Sequence, residues 1–94
     1  MMVDNLTQHV LLRMNARRIP QEAFDIALQY GRKIYAQNSL YFFLGRKELQ
    51  RISWLAPDDR EHFEGITIVC DPKHAVVLTC FKNKNFTRRI RGRK

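Results

Sequence analysis

The chain has 94 residues, 45% of them hydrophobic, so it can bury one modest core and we expect a single domain. Its longest apolar run, residues 40–44, is far shorter than the roughly 20 residues that span a membrane. The first residues lack the basic and then apolar profile of a signal peptide. These features predict a cytoplasmic protein.

The positive charge is concentrated near the C-terminus. Lysine and arginine number 17 against 9 acids, a net charge of +8. Residues 82–94 contain seven of these bases and no acid, which leaves a net charge of +1 on residues 1–81. Such a run is usually a solvated tail, but it also suits the neutralisation of phosphates, and Phe86 within it favours a nucleic-acid partner. We predict a domain over residues 1–83 and a basic tail over residues 84–94.

Two helices are predicted first. Leu6, Val10 and Met14 recur every four residues, which is one apolar helix stripe. Pro20 ends this segment, because proline disfavours helical geometry at the residue before it, and then starts a second helix that reaches Tyr30.

Four strands follow, in two hairpins. Residues 33–37 and 40–44 flank a predicted turn at Asn38 and Ser39, and residues 66–70 and 75–81 form the second hairpin. Between the hairpins, residues 46–55 have helical spacing and residues 56–64 are expected to be a loop. The predicted fold is α+β, with the order ααββ(α)ββ and two N-terminal helices packed on a four-stranded antiparallel sheet.

The register of the second hairpin follows from its apolar residues. Pairing Asp71 with Ala75 gives a fully apolar face and a mixed one. The apolar face would hold Ile66, Ile68, Cys70, Val76, Leu78 and Cys80. The other would hold Thr67, Val69, Val77, Thr79 and Phe81. This register places Cys70 opposite Val76 and Cys80 opposite Ile66, so both cysteines should be free.

Five residues of the first helix form a motif, namely His9, Arg13, Met14, Arg17 and Ile19. They resemble the opening H-x-x-x-R-M-x-x-R-G-I of a family of small, largely uncharacterised bacterial proteins. Ala27-Leu28 and Thr79-Cys80-Phe81 resemble later parts of that family. The chain departs from the pattern at Arg18, where the family has glycine, and at Phe81, where it often has tyrosine.

That family is similar in element order to RelE and ParE toxins. The resemblance implies a RelE-like fold and a ribonuclease toxin held inactive by an antitoxin protein, with RNA, including RNA on the ribosome, as its target. Fold analogy alone is a weak argument for function, so the residues must support it separately.

Metal-independent RNA cleavage requires a base for the 2′-hydroxyl, cations for the phosphate and an acid for the leaving oxygen. His9 and Arg13 lie four residues apart on one helix face, at the edge of the apolar stripe. We predict His9, Arg13, Thr79 and Lys82 as catalytic residues. Alternatively, His9 and Arg13 lock the helix to the sheet, and Thr79 is an ordinary cross-strand neighbour of Thr67.

Other basic residues are predicted to bind nucleic acid: Arg17, Arg46, Lys47, Lys84, Arg88, Arg89 and Arg91. His62 and His74 are expected to be solvated, in a loop and a turn. Neither metal-ligand spacing nor a glycine-rich phosphate loop occurs, so no metal or cofactor is expected. The sequence leaves two functions open, a toxin-like endoribonuclease and a non-catalytic module that binds nucleic acid or, like ParE, inhibits a protein.

Overall fold

A computed structural model describes residues 8–74 and 76–87 of the chain. Its elements are α1 (Gln8–Ala16), α2 (Gln21–Tyr30), β1 (Arg32–Ala36), β2 (Ser39–Phe43), α3 (Arg46–Gln50), α4 (Pro57–Phe63), β3 (Ile66–Asp71) and β4 (Val76–Lys82). The strands form one antiparallel sheet in the order β1-β2-β3-β4. The predicted α+β class, the four-stranded sheet and the two leading helices are confirmed. None of the helices in the described part is long and apolar enough to cross a membrane.

The segment between the hairpins is more helical than predicted. Residues 56–64 were expected to be a loop, but α4 occupies most of them, so helices are interleaved with the strands. Pro57 begins α4, and Asp58 and Asp59 lie in its first turn, where their charges favour the helix dipole. Phe63 is the only residue of α4 that is buried. A helix with one buried side chain has no apolar periodicity, which explains why the sequence pattern missed it.

The main core lies between the helices and one face of the sheet. Helix α1 packs on β4, and α2 packs on β3 and β2. Val10 and Met14 are the buried residues of α1, as the apolar stripe predicted. They join Phe24 of α2 and Ile68 at the centre of the sheet in one apolar cluster.

The predicted register of the second hairpin is wrong for two reasons: Asp71 pairs with Val76 rather than Ala75, and β4 contains a bulge. Thr79 pairs with Val69 and Val77 pairs with Cys70, so Leu78 has no partner on β3. An extra residue reverses the alternation of side chains beyond it. Val77 is therefore in the core, while Leu78 is 46% exposed.

The cysteines and both turns also differ in detail from the prediction. Cys80 pairs with Ile68 rather than Ile66, and both cysteines are buried and free. Asp71 pairs with Val76 rather than Ala75. The first hairpin turns at residues 37 and 38, not 38 and 39, and both have positive φ, as the type I′ turn requires.

The opposite face of the sheet is covered by Phe86. Its ring centroid lies 4.8 Å from that of Tyr41, 6.2 Å from Phe43 and 5.2 Å from Phe81. These rings and Val69 form a second, smaller cluster. The start of the predicted basic tail is thus packed on the body, and residues 88–94 lie outside the described residues.

A buried carboxylate joins β1 to α3. Glu48 is 6% exposed, and one of its oxygens accepts a hydrogen bond from the Gly45 N–H at 3.0 Å. The other accepts from Arg32 Nε at 3.1 Å. Because Arg32 is the first residue of β1, this carboxylate fixes the start of the sheet against α3.

We predict that Phe86→Ala lowers the free energy of unfolding by about 3 kcal/mol, because it removes the ring that covers the second apolar cluster. Urea denaturation measures the change. Phe86→Leu, which keeps most of the apolar volume, should cost less than half as much. Equal losses for both variants would show that Phe86 does not stabilise the fold by packing.

We predict that Glu48→Ala destabilises the fold by about 1–3 kcal/mol, because it leaves the Gly45 N–H without an acceptor and Arg32 without its ion pair. Glu48→Gln keeps an oxygen for the Gly45 N–H and should cost less. Glu61→Ala, at an exposed site on α4, is the matched control and should change stability by less than about 0.5 kcal/mol. A neutral Glu48→Ala would contradict the structural role.

Candidate functional site

A basic cleft lies where the α1–α2 turn, α4 and the end of β4 meet. Its charged and titratable lining residues are Arg17, Arg18, Asp59, His62 and Lys82, with Pro20 and Phe63 between them, and its volume is about 400 Å³. Three cations and a histidine against one carboxylate make it suitable for an anion. We call it the basic cleft.

The three elements that form the cleft are each anchored in the core. The α1–α2 turn is closed by the Ile19 N–H, which donates to the Met14 carbonyl at 2.8 Å, and the Ile19 side chain is buried. Phe63 is 4% exposed and fixes α4. Lys82 ends β4 opposite Ile66, which is also buried. The cations are therefore carried on fixed backbone.

Arg18 has an unusual backbone conformation for its residue type. Its φ is 54°, in the left-handed region that glycine adopts with little strain. Glycine is also the residue at this position in the motif that the chain resembles. Strained residues are concentrated at functional sites, and the side chain of Arg18 lines the cleft.

His62 is on a helix rather than in the loop where the sequence placed it. Its Nδ1 lies 2.7 Å from the Asp58 carbonyl oxygen. A carbonyl oxygen only accepts, so Nδ1 must carry the proton and donate. In the neutral ring Nε2 is then unprotonated and able to accept a proton.

Three of the four predicted catalytic residues do not line this cleft. His9 lies on α1 about 12 Å before Arg17 along the helix, from a rise of about 1.5 Å per residue, and is exposed. Arg13 is one turn nearer. Burial raises the pKa of the Cys80 thiol, while the nearby charges of Arg17 and Arg13 lower it, which places both arginines beside β4.

Thr79 is separated from α1 by the sheet itself. Cys80, its neighbour in the chain, faces the helices, so Thr79 faces the side covered by Phe86. Thr79 is half-buried there opposite Val69. Only Lys82 of the four predicted catalytic residues lines the basic cleft.

The predicted nucleic-acid ligands are distributed over the surface. Arg17 lines the basic cleft, and Arg46 and Lys84 line a second cleft beside α3 and α4. Lys47 is exposed on α3 but lines neither. Arg88, Arg89 and Arg91 lie outside the described residues.

The sequence analysis missed Arg18, Asp59 and His62 as site residues. One signal was present, because Asp58 and His62 are four residues apart, the spacing of neighbours on a helix. Within residues 8–74 and 76–87, no three His, Cys, Asp or Glu side chains cluster as metal ligands would.

No protein-family model matches the chain, and no curated protein or solved structure shows significant similarity to it. The arguments for function therefore come from the cleft itself.

We predict that Arg18→Gly stabilises the fold by about 0.5–1 kcal/mol. It relieves left-handed strain of about 1–2 kcal/mol at a smaller entropic cost of about 0.5–1 kcal/mol for glycine. Arg17→Gly removes the same charge at a residue without positive φ, so it should destabilise. Urea denaturation of both variants tests this, and a shift of the same sign in both would contradict it.

Proposed function

We propose that this protein is a metal-independent endoribonuclease of the toxin type, which binds the RNA backbone in the basic cleft. The observation that carries the proposal is the placement of one histidine, His62, among three cations, Arg17, Arg18 and Lys82. It meets two of the chemical requirements of RNA cleavage in a single place: proton transfer and stabilisation of phosphate charge.

The proposed reaction begins with His62. Its unprotonated Nε2 takes the proton of a 2′-hydroxyl, and the 2′-oxygen attacks the adjacent phosphorus. The bond from phosphorus to the 5′-oxygen breaks and leaves a 2′,3′-cyclic phosphate. The leaving 5′-oxygen takes a proton from water, and the resulting hydroxide is neutralised by the protonated His62.

The cations have separate tasks in this proposal. Arg17 and Arg18 hold the non-bridging phosphate oxygens, for which the planar guanidinium group is well suited. Lys82 stabilises the charge that develops on the leaving oxygen.

The same site defines the partners that we propose. Single-stranded RNA, in the cytoplasm and including RNA on the ribosome, is the substrate. An antitoxin would be a protein whose acidic side chains occupy the basic cleft. The RelE-like relationship remains part of this proposal, since it rests on the sequence motif.

We predict that His62→Gln lowers the rate of RNA cleavage by about 10²-fold, since it removes the proton acceptor. His9→Gln, outside the cleft, should leave the rate within a factor of about two. Single-turnover cleavage of labelled single-stranded RNA in the presence of EDTA measures both. Both side chains are exposed, so both variants should keep the thermal midpoint of the parent.

The opposite pattern, with loss in His9→Gln alone, would move the catalytic site to the predicted His9–Arg13 pair. A parent protein that binds RNA and never cleaves it would support the alternative function, a non-catalytic binding module.

Arg17→Gln and Lys82→Gln test the binding step. Each should reduce the slope of log affinity against log salt by roughly 0.7 if the cleft holds single-stranded RNA.

A further inference from the structure

A second cleft lies on the other side of α4, between α3 and the segment after β4. Its polar lining residues are Arg46, Gln50, Arg60, Glu61, Glu64 and Lys84, and its volume is about 390 Å³. We call it the α3–α4 cleft. It lies on the opposite flank of the helix that carries His62.

Arg60 is the fixed cation of this cleft. Its Nη2 donates to the Ile52 carbonyl at 2.9 Å, which holds the guanidinium in place. Its Nε is buried and, within the described residues, has no hydrogen-bond partner. A buried donor without an acceptor is unfavourable, so the protein leaves part of the hydrogen-bonding capacity of this guanidinium unused.

Arg46 and Lys84 add two exposed cations to the same cleft. Arg46 begins α3, and Lys84 follows Asn83, whose N–H donates to the Gly65 carbonyl at 2.8 Å. Neither forms an ion pair with a carboxylate in residues 8–74 and 76–87. Both are therefore available to an external anion.

Two carboxylates, Glu61 and Glu64, line the α3–α4 cleft beside the cations. A phosphate alone would therefore leave these two carboxylates without a hydrogen-bond donor. Glu61 and Glu64 also form no ion pair with a described cation. Carboxylates accept hydrogen bonds from the amino groups of bases such as cytosine. A ribonucleotide provides both an anion and, in three of the four RNA bases (all but uracil), an amino donor.

The two clefts lie on one path across the surface. Asp59, His62 and Phe63 line the basic cleft, and Arg60, Glu61 and Glu64 line the α3–α4 cleft, so α4 is their common wall. Lys82 and Lys84, two residues apart, lead from one to the other. A single RNA chain can thus contact both.

We propose that the α3–α4 cleft is a second nucleotide subsite for the same RNA chain. Arg46, Arg60 and Lys84 bind its phosphate, and Glu61 and Glu64 select a base that has an amino group. This inference rests on the proposed function, because it extends the RNA path from the basic cleft.

The test measures the affinity of short oligocytidylate and oligouridylate of equal length by fluorescence anisotropy over a salt series. The double variant R46Q/K84Q should reduce the slope of log affinity against log salt by about 1.4, at roughly 0.7 per contact. The parent protein should prefer oligocytidylate by about tenfold. E61Q/E64Q should abolish that preference.

The double variant R51Q/K73Q is the matched control, since it removes two exposed charges that do not line the cleft and that have no assigned part in RNA binding. An equal slope change in this control would show a general charge effect and overturn the subsite. An unchanged slope in R46Q/K84Q, together with a reduced slope in R17Q/K82Q, would also overturn the subsite but leave the proposed function intact.

If the parent protein binds neither oligonucleotide, the proposed function and the subsite both fail. Equal affinity of the parent protein for the two oligonucleotides would overturn the base selection.

Discussion

Burial of Phe63 is the contact on which the arrangement of both clefts depends. It is the one buried residue of α4, so it alone anchors that helix in the main core. The hydrogen bond from Arg60 to the Ile52 carbonyl adds a second attachment and sets the rotation of α4. With both in place, Asp59 and His62 line one cleft, and Arg60 and Glu61 line the other. A short, mostly polar helix thereby forms the common wall of both clefts.

The cations of the basic cleft are held in place by the apolar core rather than by ion pairs. Arg17, Arg18 and Lys82 sit at the ends of elements whose adjoining residues, Ile19 and Cys80, are buried. The protein thus holds like charges near one another without a compensating salt bridge among the described residues of the basic cleft. Like-charge proximity opposes folding and favours an anionic ligand, so stability and ligand affinity are in competition there.

Much of the fold could be predicted from the sequence because its signals are local. The spacing of Val10 and Met14 predicted α1, and Pro20 predicted where α2 begins. The bulge at Leu78 could not be predicted, since simple alternation sorts the strand equally well without it. Val77 and Cys80 are three residues apart and would lie on opposite faces of a regular strand. Both pack against the helices, and this packing reveals the extra residue.

The site was less predictable than the fold, for a physical reason. Its residues come from three separate places in the chain, and only the tertiary structure brings Arg17, His62 and Lys82 to one cleft. The helical spacing of His9 and Arg13 was read correctly, since both lie exposed on α1. Their shared helix face did not bring them into the basic cleft, because position along the helix axis matters as much as rotation about it.

The order of the strands has a consequence for how the chain folds. Since the sheet follows chain order, each hairpin closes only a short loop, and a single pairing, β2 with β3, joins distant segments. The entropic cost of closing that longer loop is lower when α3 and α4 form first, because these helices shorten the flexible part of the intervening chain. The local contacts of each hairpin can form rapidly, whereas the packing of α1 on β4 joins widely separated segments and should form later.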